Sequence, residues 1–258
     1  MRFALALTGS LMALSACATT DSEQTSSTVY DPLEGWNRGV YAFNEEVDKA
    51  VLGPVADGYR AVTNEPVRDG VSNFLTNLNQ PVVFANTVLQ GKPIAAVDTA
   101  ARFVLNSTVG VAGVFDLATM IDIPKHSEDF GQTLGVWGVP NGPYLMLPLA
   151  GPSNLRDATG FGVNAALNPL NYAEFEGDTE FRITTGVIGA ISARERLDES
   201  IEVLRDQPEP YIALRRNYTQ QRAAAIRDGR EQEDPFKDLP DFDAYDFGDE
   251  DEFESQEE

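Results

Sequence analysis

One cysteine and one histidine bound the chemistry open to this 258-residue chain. Cys17 closes the stretch Leu14-Ser15-Ala16-Cys17, which matches a bacterial lipobox. Arg2 and an uncharged apolar run from Phe3 to Leu14 precede it, the pattern of a secretory signal with small residues before the cut. Cleavage would make Cys17 the first mature residue, lipidated on sulfur and amine. Each buried methylene contributes roughly 0.8 kcal/mol, so several acyl chains hold a protein durably on a membrane. Ala18 stands where an inner-membrane retention signal would place aspartate, so the outer membrane is the expected destination. With Cys17 so used, no disulfide is possible.

His126 stands beside Ser127, Glu128 and Asp129. Adjacent residues seldom form a triad, and no nucleophile-elbow pattern is present. A single histidine excludes metal sites built on paired histidines, and no thiolate remains to replace them. Gly91-Lys92 runs into Pro93 and lacks the earlier glycine of a Walker A loop. The expectation is a binding protein: no enzyme, no metal, no cofactor. Any directed movement of a ligand must draw its energy from elsewhere.

The formal net charge is −22, and Glu231 to Glu258 hold 14 acidic residues against one lysine. Such a chain binds nucleic acid poorly and is repelled by anionic lipid surfaces. Membrane contact beyond the anchor must then be apolar. The tail interleaves Phe236, Phe242, Tyr245, Phe247 and Phe253 with acids. It buries too little surface to offset its ordering entropy, and disorder is expected; its aromatics also suit a linear motif for a partner.

The elements read as helices. Residues 1–16 are the signal, 17–30 a small, polar, lipidated tether, 31–230 a helical domain and 231–258 the acidic tail. Asp31-Pro32-Leu33-Glu34 has the spacing of a capping box. Leu33, Trp36, Val40, Phe43 and Val47 follow at helical period, and Gly53-Pro54 breaks the pattern. A helix from about Pro66 carries Val67, Val71, Phe74, Leu75 and Leu78, with Pro81 ending or kinking it. A further helical stretch stops at Gly91, and Pro93 restarts the pattern with Ile94, Val97, Ala101, Val104 and Leu105 on one face. Residues 183–204 form one long helix or two abutting ones. Pro208 and Pro210 precede a last helix bearing Arg215, Arg216, Arg222, Arg227 and Arg230; Arg215, Arg216 and Arg222 read as a solvated face, a membrane-surface face or contacts to lipid phosphates. Strand signals are scarce, so the class is mainly α.

From Phe130 to Leu155 no residue is charged. The length suits a membrane span, but Pro140, Pro143, Pro148 and Pro152 would break a lone helix repeatedly, which lipid does not tolerate. Two readings remain: a Gly/Pro-rich loop or hairpin buried in the core, or an apolar loop facing lipid tails or a channel wall. Val136, Trp137, Tyr144, Leu145, Met146, Leu147 and Leu149 would supply its apolar surface.

Several blocks in order resemble the MlaA (VacJ) family of outer-membrane lipoproteins. They are DPLEGWNRGVYAFN (31–44), SNFLTNLNQP with VLQGK (72–92), RFVLNSTVGVAGVFDLA (102–118) and FGQTLGVWGVPNGPYLMLPLAGPSNLRD (130–157). A weaker block is DQPEPYIALRRNYTQQR (206–222). The resemblance implies a ring- or disc-like arrangement of amphipathic helices around an amphipathic channel. It implies phospholipid as cargo, a trimeric porin and a soluble periplasmic lipid carrier as partners, and retrograde intermembrane phospholipid transport as the role. The uncharged segment then corresponds to the hairpin near the channel. Residues 41–46, with Tyr41, Phe43 and Asn44, correspond to a gating region, although Glu45 and Glu46 depart from the apolar residues common there. Short helices lying flat would turn apolar faces to lipid and polar faces inward. Trp36, Phe43, Phe74 and Phe103 read as core or lipid-facing packing, Asn37 and Arg38 as structural hydrogen bonding. Two other classes compete: a scaffold tethering a porin or cell-wall partner through the tail, and a lipid hydrolase using His126.

Overall fold

The computed structural model describes residues 29–228. The signal, Cys17, the tether up to residue 28, Arg230 and the acidic tail lie outside the described residues. Val29 and Tyr30, read as tether, join the fold: the Tyr30 carbonyl accepts a 3.0 Å hydrogen bond from the Tyr144 amide.

Asparagine, aspartate and proline set the helix starts. The Asn64 side chain accepts from the Val67 amide and opens α3, Glu65–Leu89, with Pro66 in its first turn. Pro93 opens α4, Pro93–Thr108, and Pro210 opens α10, Pro210–Ile226. Asp129 caps α6, Phe130–Val136, and Asn154 caps α7, Leu155–Leu167. Between them lie the four-residue α5, Leu117–Met120, and two short strands, β1, Tyr144–Leu147, and β2, Gly151–Asn154. α8, Asp178–Arg196, and α9, Asp198–Arg205, abut across Leu197. The mainly α class holds.

Three local signals are overridden. α1 spans Glu34–Val47 and has no side-chain cap. Asp31 instead accepts from Asn37 Nδ2 at 2.8 Å, from Arg215 at 2.7 Å and from the Tyr211 hydroxyl. A buried carboxylate gains more from a guanidinium and a phenol than from one helix amide. Gly53-Pro54 does not break the path. A π-helical turn, Asp48–Leu52, widens the ladder and leads straight into α2, Gly53–Val62. Pro81 lies inside α3, which continues through it. The flanking Asn77, Gln80, Val82, Val83 and Asn86 are buried, so packing on both sides outweighs one lost backbone bond.

The distribution of polarity is inverted relative to a water-soluble protein. Among the described residues the buried set holds ten apolar side chains and eighteen polar or charged ones. Thirty-four large apolar residues are exposed instead. On α1, Trp36 and Phe43 face outward, while Asn37 and Val40 are buried. On α4, Ile94, Val97 and Val104 face outward, while Thr99, Arg102 and Asn106 are buried. No helix among the described residues is long and apolar enough to cross a membrane. The small apolar core is Val40, Tyr144, Met146 and Tyr211, packed by Val29, Tyr41, Ile212, Leu214 and Tyr218.

Candidate functional site

The uncharged segment folds as α6 followed by the β1–β2 hairpin. Tyr144 pairs with Asn154 and Leu147 with Gly151. Pro148, Leu149 and Ala150 make the turn, with Leu149 at φ 62° and Gly151 at φ 81°. A left-handed leucine is costly where glycine is not.

α1 holds this hairpin with two asparagines. Asn37 Nδ2 donates to the Tyr144 carbonyl at 3.0 Å, and its Oδ1 accepts from the Met146 amide at 2.8 Å. Asn44 Nδ2 donates to the Leu147 carbonyl at 3.0 Å, and its Oδ1 accepts from the Leu149 amide at 2.8 Å. Each primary amide thus imitates a neighbouring strand. The spacing explains why two suffice. Seven helical residues advance about 10.5 Å, and the three strand residues separating the paired sites advance about 10 Å. Helix and strand therefore stay in register over the whole of β1.

α10 supports the other side. Its Tyr211, Arg215, Tyr218 and Arg222 recur at intervals of four, three and four, which puts them on one face. The Tyr144 ring meets Tyr211 and Tyr218 edge to face at 6.1 and 6.2 Å. Arg222 joins the cap of α6 to the first turn of α7, bonding both Asp129 oxygens at 2.6 and 2.9 Å and Asp157 at 2.8 Å. Burial alone would raise the pKa of each carboxyl, but the guanidinium holds both below the usual carboxylate range. Arg215 and Arg222 are therefore internal ion-pair partners and form no solvated or lipid-phosphate face. α6 and α7 also touch at glycines: a Cβ on Gly160 would lie 2.5 Å from the Gly131 nitrogen.

The sequence-selected residues divide into separate places. Tyr144 and Met146 point inward, only 2% exposed, and add nothing to an apolar surface. Leu145 and Leu147 are half-buried, and Leu149 is exposed at the tip. Val136 and Trp137 belong to the end of α6 and not to the hairpin; the Trp137 indole donates to the Leu89 carbonyl at the end of α3. In the expected gating region, Tyr41 stacks edge to face on Tyr211 at 5.9 Å, Asn44 grips the hairpin and Phe43 is exposed. Glu45 pairs with Arg205 at 3.0 Å. Sequence reasoning undervalued Asp31, Asp157 and Tyr218. The four-three-four stripe on α10 was the signal for their partners.

Beside the hairpin is a cavity of about 180 Å³ lined by Tyr30, Asn141, Tyr144, Asn154, Tyr218 and Arg222. The Tyr144 hydroxyl is buried without a hydrogen-bond partner, and burial pushes its pKa upward. His126 hydrogen-bonds Asp98 at 3.1 Å, and no hydroxyl of the described residues bonds its ring. No group of three or more histidine, cysteine, aspartate or glutamate side chains among the described residues is arranged to hold a metal ion.

Residues 29–225 match the family model described as MlaA lipoprotein. The chain is 36% identical over 222 residues to the intermembrane phospholipid transport system lipoprotein MlaA of Shigella flexneri, covering 84% of this chain and 85% of that protein. The same identity and coverage hold for the Escherichia coli K12 protein of that name. The Haemophilus influenzae protein of that name is 33% identical over 224 residues, covering 86% of this chain and 89% of its own. A solved structure, described as the structural basis for maintenance of bacterial outer membrane lipid asymmetry, aligns with a TM-score of 0.67 at 36% identity. It covers 76% of this chain and 98% of that one. With one family model spanning nearly the whole described fold and relatives alike over most of both lengths, the chain belongs to the MlaA lipoprotein family.

Proposed function

We propose that this chain is a lipid-anchored outer-membrane protein that removes mislocalised phospholipids from the outer leaflet. It passes them along a polar interior route to a soluble periplasmic carrier, in company with a trimeric porin. The observation that carries this reading is the inverted polarity: exposed valine, isoleucine and phenylalanine around buried asparagine, threonine and arginine, with no spanning helix among the described residues. Exposed apolar area on that scale is a liability in water and an asset in lipid. A body set into one leaflet, apolar outside and polar within, gives a headgroup a path that hydrocarbon denies it.

The hairpin is the element suited to regulate passage. Its inner residues seat it against Val40 and Tyr211, its half-buried Leu145 and Leu147 face the boundary, and its attachment to α1 is through exchangeable hydrogen bonds. The residues themselves do no bond-breaking chemistry. Binding and orientation are their task, and the purified protein is expected to release no fatty acid or lysolipid. The test is outer-leaflet phospholipid in cells lacking the protein, complemented with wild type, Cys17→Ala or Leu145→Asp/Leu147→Asp. Accumulation corrected by wild type alone supports the reading. Unchanged asymmetry in the deletion strain overturns it, and wild-type asymmetry in the hairpin variant overturns the hairpin's part.

A further inference from the structure

The polar seam between α3 and α4 encloses a small space away from the hairpin. Asn77 and Gln80 of α3 and Arg102 and Asn106 of α4 line it, together with Asp116, which caps α5. Its volume is about 10 Å³, room for one water and nothing larger. Asn77, Gln80 and Arg102 are each more than nine-tenths buried. Each brings one polar atom with no hydrogen-bond partner among the described residues: Asn77 Oδ1, Gln80 Oε1 and Arg102 Nε. We propose that this cavity binds one structural water, which accepts from Arg102 Nε and donates to Asn77 Oδ1 and Gln80 Oε1.

The three atoms do not satisfy one another. Asn77 Nδ2 donates to Ser107 Oγ at 2.8 Å and to the Ala112 carbonyl at 3.4 Å, which leaves Oδ1 as the free end of the amide. A Cβ on Gly113 would lie 2.4 Å from the Asn77 Cβ, so the backbone after α4 packs directly on this side chain and holds it in place. Arg102 Nη2 donates to both Asp116 oxygens at 2.8 and 2.6 Å and to Thr119 Oγ1 at 3.1 Å, and its Nη1 donates to the Ile123 carbonyl. Gln80 is the lightly held member, its Nε2 reaching the Thr76 carbonyl at 3.5 Å. Even if Gln80 Oε1 turned onto Arg102 Nε, Asn77 Oδ1 would stay unpaired. Burying polar atoms without partners is costly.

The donor set identifies the ligand. Two acceptors and one donor are the complement of a single water, which offers two donors and an accepting lone pair. A cation would sit against the guanidinium. An anion would face two amide oxygens and only one N–H. The location gives the water a task. Pro81 has no N–H for the Asn77 carbonyl, so α3 lacks one backbone bond at this turn. A water on Asn77, Gln80 and Arg102 cross-links that turn to α4, and through Asp116 to the cap of α5.

The test is a crystal structure of the full chain, purified in detergent, at a resolution that resolves single waters, for wild type and Gln80→Met. Wild type is expected to show one peak within about 2.7–3.2 Å of all three atoms. Gln80→Met keeps the bulk of the side chain without its acceptor, and the occupancy of the peak should fall at least about two-fold with one of its three partners gone. A wild-type map without the peak, or with Gln80 Oε1 directly on Arg102 Nε, overturns the proposal. An anomalous peak there after a bromide or rubidium soak assigns the space to an ion and also overturns it. Full occupancy in Gln80→Met overturns the three-partner site. A second measurement needs no variant: in solution the Arg102 Nε–H proton of wild type should show direct cross-relaxation with a long-lived water, and its absence overturns the site even if Gln80→Met fails to fold.

Discussion

Replacing Asn37 with alanine removes three hydrogen bonds from a fully buried position. The one donor and two acceptors left behind are unequal. The Met146 amide and the Tyr144 carbonyl belong to residues that are 2% exposed, and Asp31 loses one of its donors. An unsatisfied buried group costs about 1–3 kcal/mol. Two backbone groups and a weakened carboxylate site therefore put the loss at about 3–6 kcal/mol. Asn44→Ala cuts the same kind of pair at the exposed end, where water replaces the side chain at Leu149. There the loss is about 0.5–1.5 kcal/mol. For a chain of this size each kcal/mol moves the thermal midpoint by about 2–4 °C, so Asn37→Ala should fall by about 10–20 °C and Asn44→Ala by a few degrees. Amide hydrogen exchange checks this locally: the Met146 amide should lose protection in the first variant and keep it in the second. Equal destabilisation by the two substitutions, or an unchanged Met146 amide in Asn37→Ala, would refute the claim that the hairpin hangs on the buried asparagine.

Other consequences are quickly measured. Gly160→Ala forces a Cβ against the Gly131 backbone and should cost about 1–3 kcal/mol, whereas Gly162→Ala on the same helix meets nothing within 4 Å and should be neutral or stabilise by up to about 1 kcal/mol in urea unfolding. Arg222→Met strands the Asp129 and Asp157 carboxylates and should cost about 3–5 kcal/mol; adding Asp129→Asn to it should recover part of that loss in the same unfolding assay. Acid should also weaken the fold. Asp48, Asp129 and Asp157 are each shifted upward by burial and further downward by arginine, so their folded pKa values lie below the unfolded ones. Their contribution is then complete above about pH 4 and is lost as pH falls through the folded values. The thermal midpoint should hold from about pH 5 to 8 and drop below about pH 4; a midpoint that rises on acidification contradicts the assignment.

How far the sequence was legible depended on the range of the interaction. α4 and α10 open at the prolines that mark them, and α8 and α9 abut near the apolar pattern that predicts them. These are local effects, fixed within a turn or two. The four prolines of the uncharged segment excluded a spanning helix, and a hairpin stands in its place. What misled was any local motif whose residues had a distant partner. Asp31 has the spacing of a cap, but its partners Tyr211 and Arg215 are some 180 residues away. The arginines of α10 look like a solvated face until Asp129 and Asp157 are brought up to Arg222. Val136 and Trp137 belong by composition to the hairpin, yet the cap at Asp129 starts a helix that carries them to α3. Asn37 and Asn44 carry a legible clue, a seven-residue spacing on one helix, but the strand they fit is more than a hundred residues further on.

The inverted polarity also bears on how such a hairpin can move. Between helices surrounded by hydrocarbon, burying apolar side chains yields little net driving force, because lipid tails are as apolar as leucine. On the proposed reading, specificity then comes from directional bonds, which fits an interior rich in asparagine, threonine and arginine. A packed apolar interface resists motion over its whole area, since cores do not deform gradually. Hydrogen bonds from a side-chain amide to a strand can instead be exchanged one at a time for water or for a phosphate oxygen. The two asparagines are graded for this: Asn37 is buried beside Asp31 and Tyr144, and Asn44 is only partly buried near an exposed Leu149. On the proposed reading, the hairpin therefore opens from its tip. The Asn44 bonds yield first, the Asn37 bonds act as the hinge, and the Tyr144–Tyr211 contact stays closed until the hinge itself is broken.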